Sequence, residues 1–220
     1  MQICRRRHNN TIWDKPHEEC AVFGVSMRGS DEAAGITYNA LLSMQHRGQE
    51  GSGIAVTVDN QIVVHKGTGL AGDVFGGGAL EQLPKSSSAL GHNRYSTAGG
   101  SLECNVQPFI TEYLTGRLAS AHNGNLTNSE ELRERLLRLG IRFEATSDSE
   151  VISALVAYYT VTLGDIKEGI KKAVAELRGA FSIVILCGDG KVLAVRDADG
   201  FRPLCIGKGE TGMAVASESC

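Results

Sequence analysis

Long apolar runs, paired cysteines and a strong overall excess of charge are all missing from this 220-residue chain. No stretch approaches the roughly 18 apolar residues that a membrane-crossing helix needs, so no membrane is expected as a partner. The formal net charge is −3 and Lys and Arg are scattered, which argues against nucleic acid, whose phosphates require a clustered basic face. Cys4, Cys20, Cys104, Cys187, Cys205 and Cys220 include no CxxC pair and no regular spacing. Zinc-type ligation is therefore not expected, nor is a disulfide framework in a chain with this much core-forming sequence. A reducing compartment, the cytoplasm, is the expected location. GxxxxGK[ST] is absent, and the glycines between Gly67 and Gly78 do not open a helix, so no phosphate loop is predicted. The leader Met1–His8 carries the charge of a signal peptide's start without the apolar stretch that should follow, and reads as a tail.

What is present is a chain long enough for one large core, without internal repeats or a long linker. Cys20–Val25 reads as a buried strand. Asp31 reads as an N-cap, with a helix over Ala33–Gln45. Gly51–Val58 and Gln61–Lys66 form a hairpin by residue type, with Asp59-Asn60 as the turn. A Gly/Ser-rich stretch follows, with a short helix predicted near Ala79–Leu83. Ala89–Tyr95 is a strand entering a polar loop that extends through Gln107. Leu118–His122 is a strand predicted to stop at Asn123-Gly124. Helices are predicted from Asn128 to Leu139, Ser149 to Leu163 and Asp165 to Leu177. Strands over Phe181–Leu186, Val192–Asp197 and Met213–Ser217 close the chain. Elements in blocks, rather than in strict alternation, point to the α+β class.

Several positions carry chemistry. Cys20 begins a strand behind a strippable leader, so it is either a small core residue or a nucleophile. Cleavage before it would put a thiol and an α-amine on one residue, and that amine titrates near pH 8, roughly 2 units below lysine, so it can take the thiol proton. Asn123-Gly124 is either a turn, as that dipeptide commonly is, or a pair of oxyanion donors, a backbone N–H and a side-chain amide. Arg94 ends an apolar strand, where its fork suits either a structural ion pair or a ligand carboxylate. Asp148 sits where capping is the ordinary role, though the same carboxylate would face an ammonium. An Arg and an Asp together would grip both ends of a free α-amino acid. His46-Arg47-Gly48 closes the first helix, and Arg196-Asp197 reads as paired charges at a turn.

Four runs in this order carry a resemblance: Gln45-His46-Arg47-Gly48-Gln49-Glu50-Gly51-Ser52-Gly53-Ile54, Gly91-His92-Asn93-Arg94-Tyr95-Ser96-Thr97-Ala98-Gly99, His122-Asn123-Gly124-Asn125-Leu126 and Ser147-Asp148-Ser149-Glu150. Over residues 20–220 the chain resembles the class II glutamine amidotransferases. Within them it is most similar to the branch that passes ammonia to phosphoribosyl diphosphate, opening purine synthesis. The resemblance implies an N-terminal nucleophile fold, a four-layer αββα sandwich, with residues 1–19 a leader and 20–220 a glutaminase domain. It implies Cys20 as nucleophile, Asn123 and Gly124 as oxyanion hole, and Arg94 and Asp148 on the carboxylate and amine of glutamine. Arg47 and the Ser96–Gly100 loop, with Thr97 and Gly99, would order the site.

Two departures stand out. The family usually has Gly after the cysteine, and here Ala21 adds a methyl that either crowds the substrate or is absorbed by the core. The phosphoribosyltransferase half, which would need Mg2+ and complete a homo-oligomeric enzyme, is expected beyond this chain. No cofactor is expected within the chain itself, and the cysteine spacing supports no iron–sulfur cluster in it. The other functions open to this sequence are a non-catalytic glutamine-binding or interaction module and another class II amidotransferase, such as the hexosamine-forming type.

Overall fold

The structure, a computed structural model, describes residues 20–95 and 103–219. Residues 1–19, residues 96–102 with Thr97 and Gly99, and Cys220 lie outside the described residues. The apolar stretch after Cys20 forms β1 (Ala21–Met27), and the helical spacing that follows forms α1 (Ala33–Ser43). Glu32, rather than Asp31, occupies the N-cap position and makes no side-chain cap bond. Asp31 instead accepts the Ser86 amide through its main-chain carbonyl at 2.9 Å. β2 (Gly51–Val58) and β3 (Gln61–Thr68) make the predicted hairpin. Asp59 and Asn60 both adopt positive φ there, as a two-residue type I′ connection requires. The short helix lies earlier than predicted, as α2 (Ala71–Val74). Its start is held by the Gln45 side chain, whose Oε1 accepts the Ala71 amide at 2.8 Å, a tertiary contact that no local pattern announces. β4 (Ser88–Arg94) follows as predicted.

β5 (Phe109–Tyr113) has no counterpart in the sequence pattern, and β6 (Gly116–Leu126) runs through Asn123-Gly124 instead of stopping there. β6 continues because β7 (Gly179–Cys187) pairs with it as far as Leu126 opposite Gly179. The neighbouring strand supplies the bonds that an isolated Asn-Gly would find in a turn. α3 (Ser129–Arg138), α4 (Asp148–Leu163) and α5 (Ile166–Val174) intervene between β6 and β7. α5 is capped by Asp165, which accepts the Lys167 and Glu168 amides, both at 2.9 Å. β8 (Val192–Arg196), β9 (Cys205–Lys208) and β10 (Gly212–Ala216) follow. β9 is an edge strand exposed along its whole length, so it lacks the apolar alternation that would reveal it.

The strands form a six-stranded sheet in the order β3-β2-β4-β1-β10-β9 and a four-stranded sheet in the order β5-β6-β7-β8. Three apolar cores stack through the domain. One lies between α1, α2 and the six-stranded sheet, one between the two sheets, and one between the four-stranded sheet and α3, α4 and α5. This is the αββα sandwich.

Strand alternation then assigns faces. Val22, Ala55, Leu90, Ala119, Ala121 and Val184 fill the layer between the sheets. By the period of two, Cys20, Gly53, His92, Arg94 and Asn123 share that inner face. Ala21 belongs to the opposite face, packed in the core under α1 and fully buried. Its methyl is absorbed by the helix-side core and does not crowd the face that carries Cys20.

The inner layer turns polar at the end that bears Cys20. His92 is fully buried, and its Nε2 meets the His122 carbonyl oxygen at 3.3 Å. Burial is the main reason its imidazole is pushed down to about 3, outweighing the hydrogen bond to His122, while the charges of His122, Arg94 and Lys66 push the same way. The unfolded chain therefore binds a proton at this residue near pH 6.5 that the folded chain refuses until about pH 3, so stability falls as pH falls through that window. Between pH 6.5 and 5.0 this one group should cost about 1.5 kcal/mol. Equilibrium urea denaturation at the two pH values should show His92→Gln losing less stability than the parent by about that amount, whereas an unchanged difference would refute the assignment. Gly53 faces the same layer, and a Cβ there would lie 2.2 Å from the Gln107 carbonyl oxygen and 2.9 Å from Pro108 Cδ. Gly53→Ala should lower the unfolding free energy by about 1–3 kcal/mol, the usual cost of overpacking. A variant as stable as the parent would show that the segment yields freely.

Candidate active site

Cys20 stands at the mouth of β1, immediately before its first paired residue. Its Sγ accepts the Tyr95 amide at 3.4 Å and lies 3.5 Å from the Tyr95 carbonyl oxygen, so the thiol sits against the residue that follows Arg94. Arg47, 1% exposed, reaches it from the other side and donates from Nε to the Cys20 carbonyl at 2.9 Å. That guanidinium also donates to Glu218 Oε1 at 2.6 Å, and His46 Nε2 lies 3.0 Å from Glu218 Oε2. Behind Cys20, the Ser217 hydroxyl accepts the Val22 amide at 2.9 Å. The chain's last described residues thus brace the strand that carries the cysteine.

Asp148 opens α4, but the cap is Ser147, whose hydroxyl accepts the Ser149 amide at 3.2 Å. The Asp148 carboxylate is turned across to β6, where Oδ2 accepts the Leu126 amide at 2.9 Å. Its other oxygen lies 3.4 Å from the Ser149 hydroxyl and 3.8 Å from His122 Nδ1. Burial holds the His122 imidazole below its ordinary value, outweighing the pull of Asp148, with Arg202 adding to the effect. His122 is therefore neutral near pH 7, with Nδ1 3.1 Å from the Ser149 hydroxyl.

Gly124 adopts φ 146°, and a Cβ there would lie 2.0 Å from the Ala180 carbonyl oxygen. Only glycine satisfies both the conformation and the space. Asn123 is completely buried, and neither Oδ1 nor Nδ2 has a hydrogen-bond partner among the described residues; the same holds for Arg94 Nη1.

Cys20, Arg94, Gly124 and Asp148 line one polar pocket of about 270 Å3, together with Tyr95, Asn105, Gln107, His122 and Ser149 among others. That volume lies just below the roughly 300–1,000 Å3 usual for drug-sized ligands, so it suits a small polar one. A larger cavity of about 620 Å3, between β5 and α4, contains none of these residues. The fold therefore gathers four of the sequence-predicted residues around one space, places Asn123 directly beside Gly124, and uses Arg47 as a brace on the Cys20 backbone. Thr97 and Gly99 lie outside the described residues. The sequence reading assigns no role to Gln107, His122, Ser149 or Glu218. His122 and Ser149 flank motif residues and were open to notice, whereas Gln107 and Glu218 carry no local signal. Arg196 and Asp197, expected as an ion pair, hold main chain instead: Arg196 Nε donates to the Arg202 carbonyl at 2.6 Å, and Asp197 accepts the Phe181 and Phe201 amides, both at 3.1 Å. Burial alone would raise the Asp197 carboxyl, but the amides of Phe201, Phe181, Arg202 and Gly200 hold it below its ordinary value. Among the described residues no cluster of three or more His, Cys, Asp or Glu side chains forms a metal site, and no helix is long and apolar enough to cross a membrane.

Residues 92–220 match the glutamine amidotransferase domain family. The chain is 45% identical over 216 residues to amidophosphoribosyltransferase 1, chloroplastic, of Arabidopsis thaliana, covering 97% of this chain and 37% of the plant protein. It is 42% identical over 208 residues to the amidophosphoribosyltransferase of Bacillus subtilis, covering 93% of this chain and 42% of that protein. Among solved structures, glutamine phosphoribosylpyrophosphate amidotransferase from B. subtilis, complexed with ADP and GMP, matches with a TM-score of 0.81 at 39% identity, covering 91% of this chain and 42% of that one. The chain spans about two fifths of the length of these relatives. With more than half of its residues matched, in a fold of the same shape, the chain belongs to the glutamine amidotransferase domain family.

Proposed function

We propose that this chain is the glutaminase part of an amidophosphoribosyltransferase, with Cys20 as its nucleophile once residues 1–19 are removed. The observation that carries this reading is the polar pocket at the sheet ends. Cys20, Arg94, Gly124 and Asp148 line it, while Arg94 Nη1 and both amide atoms of the adjoining Asn123 are buried without partners among the described residues. Buried polar groups in a native fold are normally paired, so these atoms are open to a ligand or water beside the pocket. Leader removal has support of its own. Cys20 carries φ 52°, a left-handed conformation costing an ordinary L-residue about 1–2 kcal/mol, and cleavage before it abolishes that torsion.

Arg94 takes the α-carboxylate of glutamine and Asp148 its α-ammonium, leaving the side-chain amide to reach Cys20. The α-amine of Cys20 accepts the thiol proton, and the thiolate adds to the amide carbon. Asn123 Nδ2 and the Gly124 N–H donate to the oxyanion, donors of a kind worth about 3 kcal/mol each. Collapse breaks the C–N bond, the Cys20 ammonium returns its proton to the departing nitrogen, and ammonia leaves a γ-glutamyl thioester. Water then adds with the same amine as base, releasing glutamate and restoring the thiol. The sum is glutamine plus water giving glutamate plus ammonia. Arg47 steadies Cys20 through its carbonyl, and the 96–102 loop with Thr97 and Gly99 orders the bound substrate.

In the whole protein the ammonia would form 5-phosphoribosylamine on a phosphoribosyltransferase part outside this chain. Mg2+ and the homo-oligomeric form belong to that larger reading, as does a cytoplasmic setting that keeps the Cys20 thiol reduced.

Intact-mass measurement should find the chain beginning at Cys20, and a glutamine-mimicking electrophile should add once, on Cys20, with no adduct in Cys20→Ser. Arg94→Ala should raise the KM for glutamine by roughly 30- to 100-fold, the worth of a charged hydrogen-bonded contact, with a smaller change in kcat. Labelling on Cys104 or Cys205, or retention of residues 1–19 with no adduct, would favour a non-catalytic binding module instead.

A further inference from the structure

Asn105-Val106-Gln107-Pro108 reads as the unremarkable end of a polar loop, yet it occupies the space between the two sheets. The β5–β6 ladder pairs Phe109 with Ser120, so the same register carried two residues further would set residue 107 opposite His122. The ladder does not reach that far, because β5 begins at Phe109 and Pro108 has no N–H to offer. The Gln107 side chain takes the place of the missing strand. Its Oε1 accepts the His122 N–H at 2.7 Å, and its Nε2 donates to the His122 carbonyl at 3.3 Å. A primary amide is suited to this task, since its adjacent donor and acceptor copy those of a peptide group.

The clamp is itself held. Lys66 Nζ donates to the carbonyls on either side of Gln107, at 2.6 Å to Val106 and 3.2 Å to Pro108. Asn105 is tied to Thr146, through the Thr146 amide at 3.0 Å, two residues before Asp148. Gln107 and His122 are both almost entirely buried, at 5% and 2% exposure. The residues immediately after His122 are Asn123 and Gly124.

We infer that Gln107 is a positioning residue: acting through the His122 main chain, it sets where the Asn123 and Gly124 donors stand relative to Cys20. The inference rests on the glutaminase reading and adds to it a residue that does not touch the reacting atoms in that mechanism. Asn105 of the same segment grips the turn before Asp148, whereas the Gln107 side chain's own hydrogen bonds go to the His122 main chain, so its loss falls on the oxyanion side.

The test separates oxyanion chemistry from general integrity. Gln107→Met keeps the length and removes both hydrogen bonds, and Gln107→Glu keeps the acceptor while setting a carboxylate oxygen against the His122 carbonyl. In the full chain freed of residues 1–19, each variant should lower kcat for glutamine hydrolysis roughly 10- to 100-fold, as displaced catalytic groups do. KM for glutamine should stay within about threefold, since Arg94 and Asp148 are untouched. Alkylation of Cys20 by iodoacetamide displaces iodide at a saturated carbon and forms no oxyanion, so its rate should stay within about twofold. Unchanged kcat in both variants overturns the inference and leaves the glutaminase reading standing. A parallel fall in hydrolysis and alkylation, with KM rising, also overturns it, because that is the pattern of a loosened scaffold. A parent chain that neither hydrolyses glutamine nor binds its electrophilic mimic overturns the glutaminase reading, and the inference with it.

Discussion

The face-to-face contact of two antiparallel sheets governs the rest of this domain. Along most of that contact the inner positions are apolar and small to medium in size, from Val22 and Ala55 to Ala119, Ala121 and Val184. At one end they become Cys20, His92, Arg94 and Asn123 without a change in strand period. Burying polar groups in such a layer is costly unless hydrogen bonds reach them. Hence the last inner turn holds His92 against the His122 carbonyl and a glutamine amide across the His122 peptide. The pocket is what remains at the end of the layer, where polar groups are left unpaired by protein.

Placing a site at strand ends has a physical consequence. The groups that must keep a fixed spacing hang from ladders that cannot shift by one residue without turning every side chain to the opposite face. Arg94 ends β4, Cys20 precedes β1, Gly124 lies within β6, and β1 and β4 are direct neighbours in register. Only Asp148 comes from a helix, and it is tied to β6 through the Leu126 amide. The side chains beyond the pocket serve this frame: Arg47 and Glu218 from the back of β1, Lys66 and Gln107 from the flank of β6.

Much of the fold was legible in the sequence. The β2–β3 hairpin, β4 and the three helices that precede β7 follow from apolar period, caps and turn residues, because each depends mainly on its own stretch of chain. Four features were not legible, the first being β5, a short edge strand with no counterpart in the sequence pattern. α2 is set by the side chain of Gln45, β9 is an exposed edge without an apolar face, and β6 passes through Asn123-Gly124 because β7 lies beside it. Local propensity at Asn-Gly favours a turn, and long-range pairing overrides it. The same division runs through the site. Cys20, Arg94, Asn123, Gly124 and Asp148 stand in recognisable motifs, whereas Gln107 and Glu218 act on residues distant in sequence and leave no local trace.

Residue type and order alone determined the α+β class, a cysteine at a strand mouth, and the motifs in which Arg94, Asn123, Gly124 and Asp148 stand. Those properties belong to side chains and short periods, which chain connectivity preserves. Tertiary structure alone decided that Ala21 turns its methyl into the helix-side core, that Ser147 rather than Asp148 caps α4, and that Asn123 and Arg94 keep buried groups unpaired beside one pocket. Each depends on which face of a strand meets which neighbour, and that is settled only when the two sheets close on each other.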